Sequence, residues 1–417
     1  MNKTSNLKGW FIFAIAAAFY AYEFFLRVTP AAMQSQIMSN FGISAKSFGF
    51  LMSSYFYAYT PLQLFVGSIM DLYGTKNTLV VAVLACLVGA IIFSQTDYFT
   101  IAILSYALVG FGSAFAFVGV LKISSIWLPA NYLAIATGIA TSMGMLGAIS
   151  GEFILDAAIQ VYGQHQTLTA YSLIGLLLLG AVVFIVDDQP HRRSISKRAP
   201  VKFKTLIRDI LKIRHSSQFW INGIIGSLLF MPTNVFASMW AVMFFKQTYY
   251  FPSSHANAIS SMLFAGWAIG APIWGWLSSR QFRAVTMLRY CALISSVLLW
   301  LIIYHKTHDI TMIYIIMFLV GMFSSVQVLV FPIATSFFDK KLIGTAISLT
   351  NMLVMLNTFI SPLVGTILDL SWDGATIGNE RIFSAHGFEQ ALLILPLGLF
   401  ISFILTYFLK ENSLLNQ

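Results

Sequence analysis

The strongest constraint in this chain is a recurring apolar run of roughly 20 residues, each long enough to cross about 30 Å of hydrocarbon as a helix. The runs lie at Trp10 to Val28, Phe48 to Met70, Leu79 to Phe93, Ile101 to Leu121, Ala134 to Ala157, Leu168 to Val186, Phe219 to Phe245, Ile259 to Leu277, Ala284 to Tyr304, Ile310 to Ile333, Ile343 to Val364 and Ala391 to Leu409. In lipid every backbone N–H and C=O must be satisfied internally, and a helix does so within one segment. Composition excludes a soluble core: 58% of the residues are hydrophobic and only 9% are charged, against roughly 25% charged in soluble domains. The expected fold is an all-α membrane protein with 12 transmembrane helices. The first run is followed at once by others and lacks a small-residue cleavage site, so a retained helix is expected rather than a signal peptide.

Basic residues set the expected orientation. With the N-terminus inside, Lys3, Lys8, Lys76, Arg280, Arg283, Lys340, Lys341 and Lys410 fall in cytoplasmic segments, as does the run Arg192, Arg193, Lys197, Arg198, Lys202, Lys204, Arg208, Lys212 and Arg214. The other side keeps Lys46, Lys246, Lys306 and Arg381. This positive-inside bias accounts for the net charge of +9 and removes the reason to read the basic pI as nucleic-acid binding. Both termini are expected in the cytoplasm.

The chain also repeats itself. Leu108-Val109-Gly110 through Ser124-Ser125-Ile126-Trp127 runs parallel to Leu319-Val320-Gly321 through Thr335-Ser336-Phe337-Phe338, and Gly151 to Asp156 echoes Gly365 to Asp369. Spans four and five thus correspond to spans ten and eleven. The expected organisation is two pseudo-symmetric six-helix bundles, 1–187 and 218–417, joined by a basic cytoplasmic linker, 188–217. Within it Phe203 to Ile213 can form an amphipathic surface helix. Six plus six is a transporter layout.

After the second span stands Gly67-Ser-Ile-Met-Asp71-Leu-Tyr-Gly74-Thr-Lys76, which resembles the cytoplasmic signature of the major facilitator superfamily. Gly67 is expected to permit close helix contact, Gly74 a tight turn, and Asp71 to meet a helix end and nearby bases. The resemblance implies a conformational gate built from Gly67, Asp71, Gly74 and Lys76, and a fold that commonly works as a monomer in the bacterial inner membrane. The second half has a worn copy, Gly275 to Arg280, with Ser279 in the aspartate's place, and Tyr106 stands where the family usually has an arginine in the fourth span. Span five has Gly138, Gly144, Gly147 and Gly151 but not the Gly-Pro step of many drug/proton antiporters. Tyr20-Ala-Tyr-Glu23-Phe-Phe-Leu-Arg27-Val-Thr-Pro30 with Tyr55-Phe-Tyr57-Ala-Tyr59-Thr-Pro61-Leu-Gln63 is similar to the phagosomal-transporter branch, which implies uptake of amino acids or nucleosides. Siderophore importers and organic-anion symporters share much of that local pattern.

Chemistry is expected where charge survives inside the membrane. Glu23 and Arg27 are four apart and share a helix face with Tyr20, as a coupling pair or as a structural pair near the outer end of the helix. Burial disfavours the charged carboxylate and a neighbouring cation favours it, so Glu23 is the candidate proton carrier. Arg27 can hold a carboxylate or phosphate through its planar fork. Lys122 either binds an anionic solute or snorkels to the cytoplasmic surface. Glu152 and Asp156, near the outer end of the fifth span, are expected at the interface, with a coupling role as the alternative.

Tyr55, Tyr59, Gln63, Asn222, Asn234, Gln327, Asn351 and Asn357 supply the remaining candidates for a solute site, and each can equally be an interhelical hydrogen bond. Pro61, Pro232, Pro272, Pro332 and Pro362 can bend spans. Cys86 and Cys291 read as packing residues, and no His and carboxylate cluster marks a metal centre, cofactor or membrane enzyme. The expectation is a proton-coupled importer of a small amino-acid-like or nucleoside-like solute, with an organic-anion or siderophore carrier or a proton-driven exporter as alternatives. Its partners are the solute, protons and membrane lipid.

Overall fold

The computed structural model describes residues 3–128, 133–187, 212–213, 215–279, 283–305, 307, 309–338, 342–377 and 380–410. Arg280, Lys340, Lys341 and nearly all of the linker, with the expected helix Phe203 to Ile213 up to its last two residues, lie outside them. We call the ends of the spans inner and outer after the orientation that the basic residues predict.

Among the described residues ten helices are long and apolar enough to cross a membrane, and Thr169–Ile185 adds a shorter apolar one. The remaining expected span, the second, is interrupted: Ala45–Leu62 ends just past Pro61, and Val66–Tyr73 resumes after a turn. Proline has no N–H to give the carbonyl one turn back, so a break costs least beside it. Pro232, Pro332 and Pro362 also lie beside irregular turns, whereas Pro30, Pro272 and Pro396 sit inside helices. Pro232 opens a wide π-type stretch, Pro232–Trp240, in the seventh span, while Pro332 and Pro362 fall in the first turn of the α-helices that follow the 3₁₀ stretches Ser325–Leu329 and Met355–Ile360 of spans ten and eleven. Pro272 sits inside the unbroken helix Ser253–Ser279. Polar caps start several spans: Ser216, Asp309 and Ser384 each accept hydrogen bonds from first-turn amides. Exposed Leu104, Leu177, Phe184 and Trp276 lie on span surfaces, where a lipid solvent accepts them.

The internal repeat is carried into structure. The fourth span breaks after Phe99–Ser113 and resumes at Ala116–Trp127, and the tenth breaks after Ile310–Ser324 at the matching residue. A Cβ on Gly110 would land on the Tyr55 carbonyl, and one on the matching Gly321 would land on the Leu263 carbonyl. Each half therefore seats its fourth helix on the backbone of its second.

The chain packs as two compact units, residues 1–27 with 54–207, and 28–53 with 208–417. Packing thus differs from the division along the chain for 28–53. Within the second unit the start of helix Ala45–Leu62 is hydrogen-bonded to Asp369.

Candidate functional site

In the first unit the candidate site is assembled on one face of the first helix, Lys3–Ala32, where Glu23, Phe24 and Arg27 lie three, four and seven residues after Tyr20. Glu23 is fully buried and Arg27 is 3% exposed. Arg27 Nη2 donates to both Glu23 oxygens at 3.1 Å, and its Nε donates to the Tyr55 hydroxyl at 3.1 Å. That hydroxyl in turn donates to Glu23 Oε2 at 2.9 Å. The three side chains form a closed ring in which Tyr55 accepts from the base and donates to the acid. Phe24 lies 4.1 Å from the guanidinium carbon, and the rings of Tyr55, Tyr59 and Phe56 lie at 5.3, 5.4 and 5.6 Å. A cation over aromatic faces is attracted by their quadrupoles when water is excluded.

Two close approaches hold this ring. A Cβ on Gly144 would press on Tyr20 and Phe24, and one on Gly147 would land on the Ala21 carbonyl, so the fifth span lies directly on the first. Tyr106 donates its hydroxyl to the Arg27 carbonyl at 2.6 Å. The position where the family's usual arginine is missing therefore carries a phenol that holds the backbone of the charged pair. Its sequence signal was slight: it precedes Gly110 by four residues and so shares the face that approaches the second span.

Other expected site residues fall elsewhere. Lys122 Nζ lies 2.7 Å from Asp71 Oδ1 at the inner side of this unit, so Lys122 pairs with Asp71 and not with Glu23 and Arg27. Gln63 donates to the Ala114 carbonyl at 3.2 Å, at the break of the fourth span. Gly74 has φ of 87°, as the tight turn requires. Gly67 corrects the expectation of close contact, because a Cβ there would meet nothing within 4 Å. Lys76 is half-buried beside the same turn. Glu152 is fully buried on the wide turn Ser150–Ile154, whereas Asp156 is half-buried and accepts from Gln160 at 2.8 Å. A single wide turn re-aims the side chains that follow it, which a straight helical count misses.

The second unit holds a neutral polar cluster. Asn234 donates to Asn357 Oδ1 at 2.8 Å and to the Thr358 hydroxyl at 2.9 Å, and Asn357 donates to the Ser227 and Val354 carbonyls at 3.0 and 2.7 Å. Asn222 donates to the Val330 carbonyl at 2.8 Å. Asn357 thus ties span eleven to span seven. Asn222 Oδ1, Asn234 Oδ1, Thr233 Oγ1 and Trp267 Nε1 are buried with no hydrogen-bond partner. Leaving such atoms unmatched costs roughly 1–3 kcal/mol each. Gln327 is buried on the 3₁₀ stretch, and Asn351 is half-buried. Thr233 and Trp267 carry no signal in the sequence, where a tryptophan in an apolar helix reads as packing.

Residues 11–362 match the sequence profile of the Major Facilitator Superfamily. The chain is 24% identical over 292 residues to the uncharacterized transporter YybO of Bacillus subtilis (strain 168), covering 64% of each chain. It is 28% identical over 199 residues to the hexuronate transporter of Escherichia coli (strain K12), covering 46% of this chain and 45% of that one. The chain thus spans less than two thirds of the length of the curated relatives it matches. Among solved structures, a bacterial homolog of the human lysosomal transporter Spinster, in an inward-facing and unoccupied conformation, superposes with a TM-score of 0.81 at 13% identity, covering 98% of both chains.

Proposed function

The chain belongs to the Major Facilitator Superfamily and is a multi-pass membrane transporter rather than an enzyme; from that premise we propose that it imports a small carboxylate-bearing organic solute together with a proton. The observation that carries the reading is the closed ring of Glu23, Arg27 and Tyr55. Two opposite charges in a dry site are tolerated because each offsets the other's desolvation. A solute carboxylate can replace Glu23 on Arg27 only if Glu23 gives up its charge, so the solute enters with one proton bound to Glu23. The site is then neutral before and after. Tyr55, already bonded to both partners, can follow the exchange by turning its hydroxyl. Phe24, Tyr20 and Tyr59 supply an apolar, aromatic surround.

Within the second unit, the unmatched Asn222 and Asn234 oxygens and the Trp267 N–H, with Gln327 and Asn351 in the same proposal, are that unit's own polar groups for a solute. A carboxylate solute takes precedence over the nucleoside-like one because Arg27 offers a planar fork and one relative is named for an organic anion, hexuronate. An amino acid also carries a carboxylate and stays within the class; being a zwitterion, it would bring one positive charge in with the proton and respond to a potential as well as to a pH gradient. We place the protein in the bacterial inner membrane as a monomer in lipid, both termini cytoplasmic, with halves 1–187 and 218–417 rocking about the linker 188–217. Lys122, Asp71, Gly74, Gly67 and Lys76 form the inner gate.

The test is flux into proteoliposomes. One monovalent carboxylate carried with one proton moves no net charge, so a pH gradient should drive accumulation and a potassium-diffusion potential alone should not. Uptake driven by the potential and indifferent to the pH gradient would sink the reading.

A further inference from the structure

The eleventh span ends in a carboxylate that the transport reading does not use. Asp369 Oδ1 accepts the Ala45 N–H at 2.9 Å, and Oδ2 accepts the Lys46 N–H at 2.7 Å. Arg381 Nη1 donates to Oδ1 at 3.4 Å. Ala45 and Lys46 open helix Ala45–Leu62, whose first amides have no partner within the helix and carry its positive end. A carboxylate across two such amides makes charge-assisted bonds. One turn earlier, a Cβ on Gly365 would land on the Ala45 carbonyl, so the two backbones are in contact.

Arg381 belongs to a small hairpin, Thr376–Ile377 against Glu380–Arg381, and lies 4.3 Å from the Trp372 ring. The hairpin is fastened to the outer end of span seven by one side chain: Gln247 donates to the Arg381 carbonyl at 2.9 Å and accepts from the Phe383 N–H at 2.9 Å. Three segments therefore converge on Asp369: the start of span two, the end of span eleven and the hairpin.

We propose that Asp369 is a latch of the transport cycle, holding the outer ends of spans one and two, residues 28–53, to span eleven and the hairpin, and releasing them when the outer side opens. The proposal rests on the transport reading only in supposing such a cycle. What makes the contact reversible is its surroundings. Asp369 and Arg381 are 20% and 28% exposed, so water can take over their bonds. The helix does not depend on Asp369 for all of its capping, because Ser44 Oγ accepts the Ser47 N–H at 3.2 Å. Deeper along the same contact Ser53 is fully buried and donates to the Thr358 carbonyl at 3.1 Å. Separation of 28–53 from span eleven must uncover Ser53.

The experiment labels a cysteine at Ser53 with a membrane-impermeant maleimide from outside, in full-length protein with Cys86 and Cys291 replaced by serine. Asp369→Asn keeps the side chain's size and Asp369→Ala removes it. Both should raise the labelling rate of Ser53→Cys about tenfold, and Arg381→Gln, which removes one donor of three, should raise it less. Ser295→Cys, fully buried in the ninth span, serves as the control and should not change. Unchanged labelling at Ser53→Cys in folded Asp369→Asn protein overturns the latch. An equal rise at Ser295→Cys overturns it too, because that would be general loosening. Labelling needs no solute and no gradient, so it tests the latch even if the carboxylate-and-proton reading fails.

Discussion

Glu23→Gln removes the ionisable group of the buried ring and little of its shape. In the native ring Arg27 Nη2 is 3.1 Å from both carboxylate oxygens, and Oε2 also accepts the Tyr55 hydroxyl. Glutamine brings one acceptor oxygen, and its amide then turns donors toward a guanidinium or a hydroxyl that also donates. Arg27, 3% exposed, is left charged without a counter-ion, and removing one partner of such a pair costs about 3–5 kcal/mol. A solute carboxylate can restore the missing charge. The variant should therefore be less stable than the native protein without solute and should gain more from adding it.

The effect on coupling is the decisive one. If solute and one proton bind together, the native Kd rises about tenfold per pH unit, or about 1.36 kcal/mol, over the range in which the free site holds Glu23 ionised. In Glu23→Gln no proton is exchanged and the slope should vanish. Calorimetric titration at several pH values reads the slope. In proteoliposomes with an imposed pH gradient, accumulation should disappear, while exchange of labelled for unlabelled solute should survive. Normal gradient-driven accumulation in the variant would refute the reasoning. Loss of exchange and uptake together would make the pair structural.

Other expectations follow from particular contacts. Gly110→Ala places a methyl on the Tyr55 carbonyl with only backbone to yield, so thermal unfolding should show a loss of about 1–3 kcal/mol, as overpacking typically costs; unchanged stability would mean that spans two and four are not in contact there. Asp71→Asn breaks a pair whose side chains are 53% and 21% exposed, so stability should fall by no more than about 1 kcal/mol while transport slows and solute binding persists; complete loss of binding in folded protein would refute the gate role. Tyr73 and Tyr250 are exposed near opposite ends of spans. Cysteine at Tyr73 should be labelled only from the cytoplasm and cysteine at Tyr250 only from outside, and the reverse pattern would overturn the orientation.

What the sequence determined by itself was the class and the layout. Apolar runs of bilayer length leave few alternatives to helices in lipid, and the repeat around Gly110 and Gly321 marks two related halves, because both follow from local solvation and from spacing along the chain. The Glu23–Arg27 pair was legible for the same reason: four residues on one helix is a local distance. Tertiary structure decided what lies across from each side chain. It gave Tyr55 to the charged pair as the third member of a ring, turned Tyr106 onto the Arg27 carbonyl, and drew Lys122 away to Asp71. It buried Glu152 on a wide turn, left open space where a Gly67 side chain would stand, and brought Asp369 to amides 324 and 323 positions away. Helical periodicity fixes which residues share a face but not what that face meets. Partners so far apart along the chain are chosen by packing, where breaks at prolines and wide turns rotate whole helix segments.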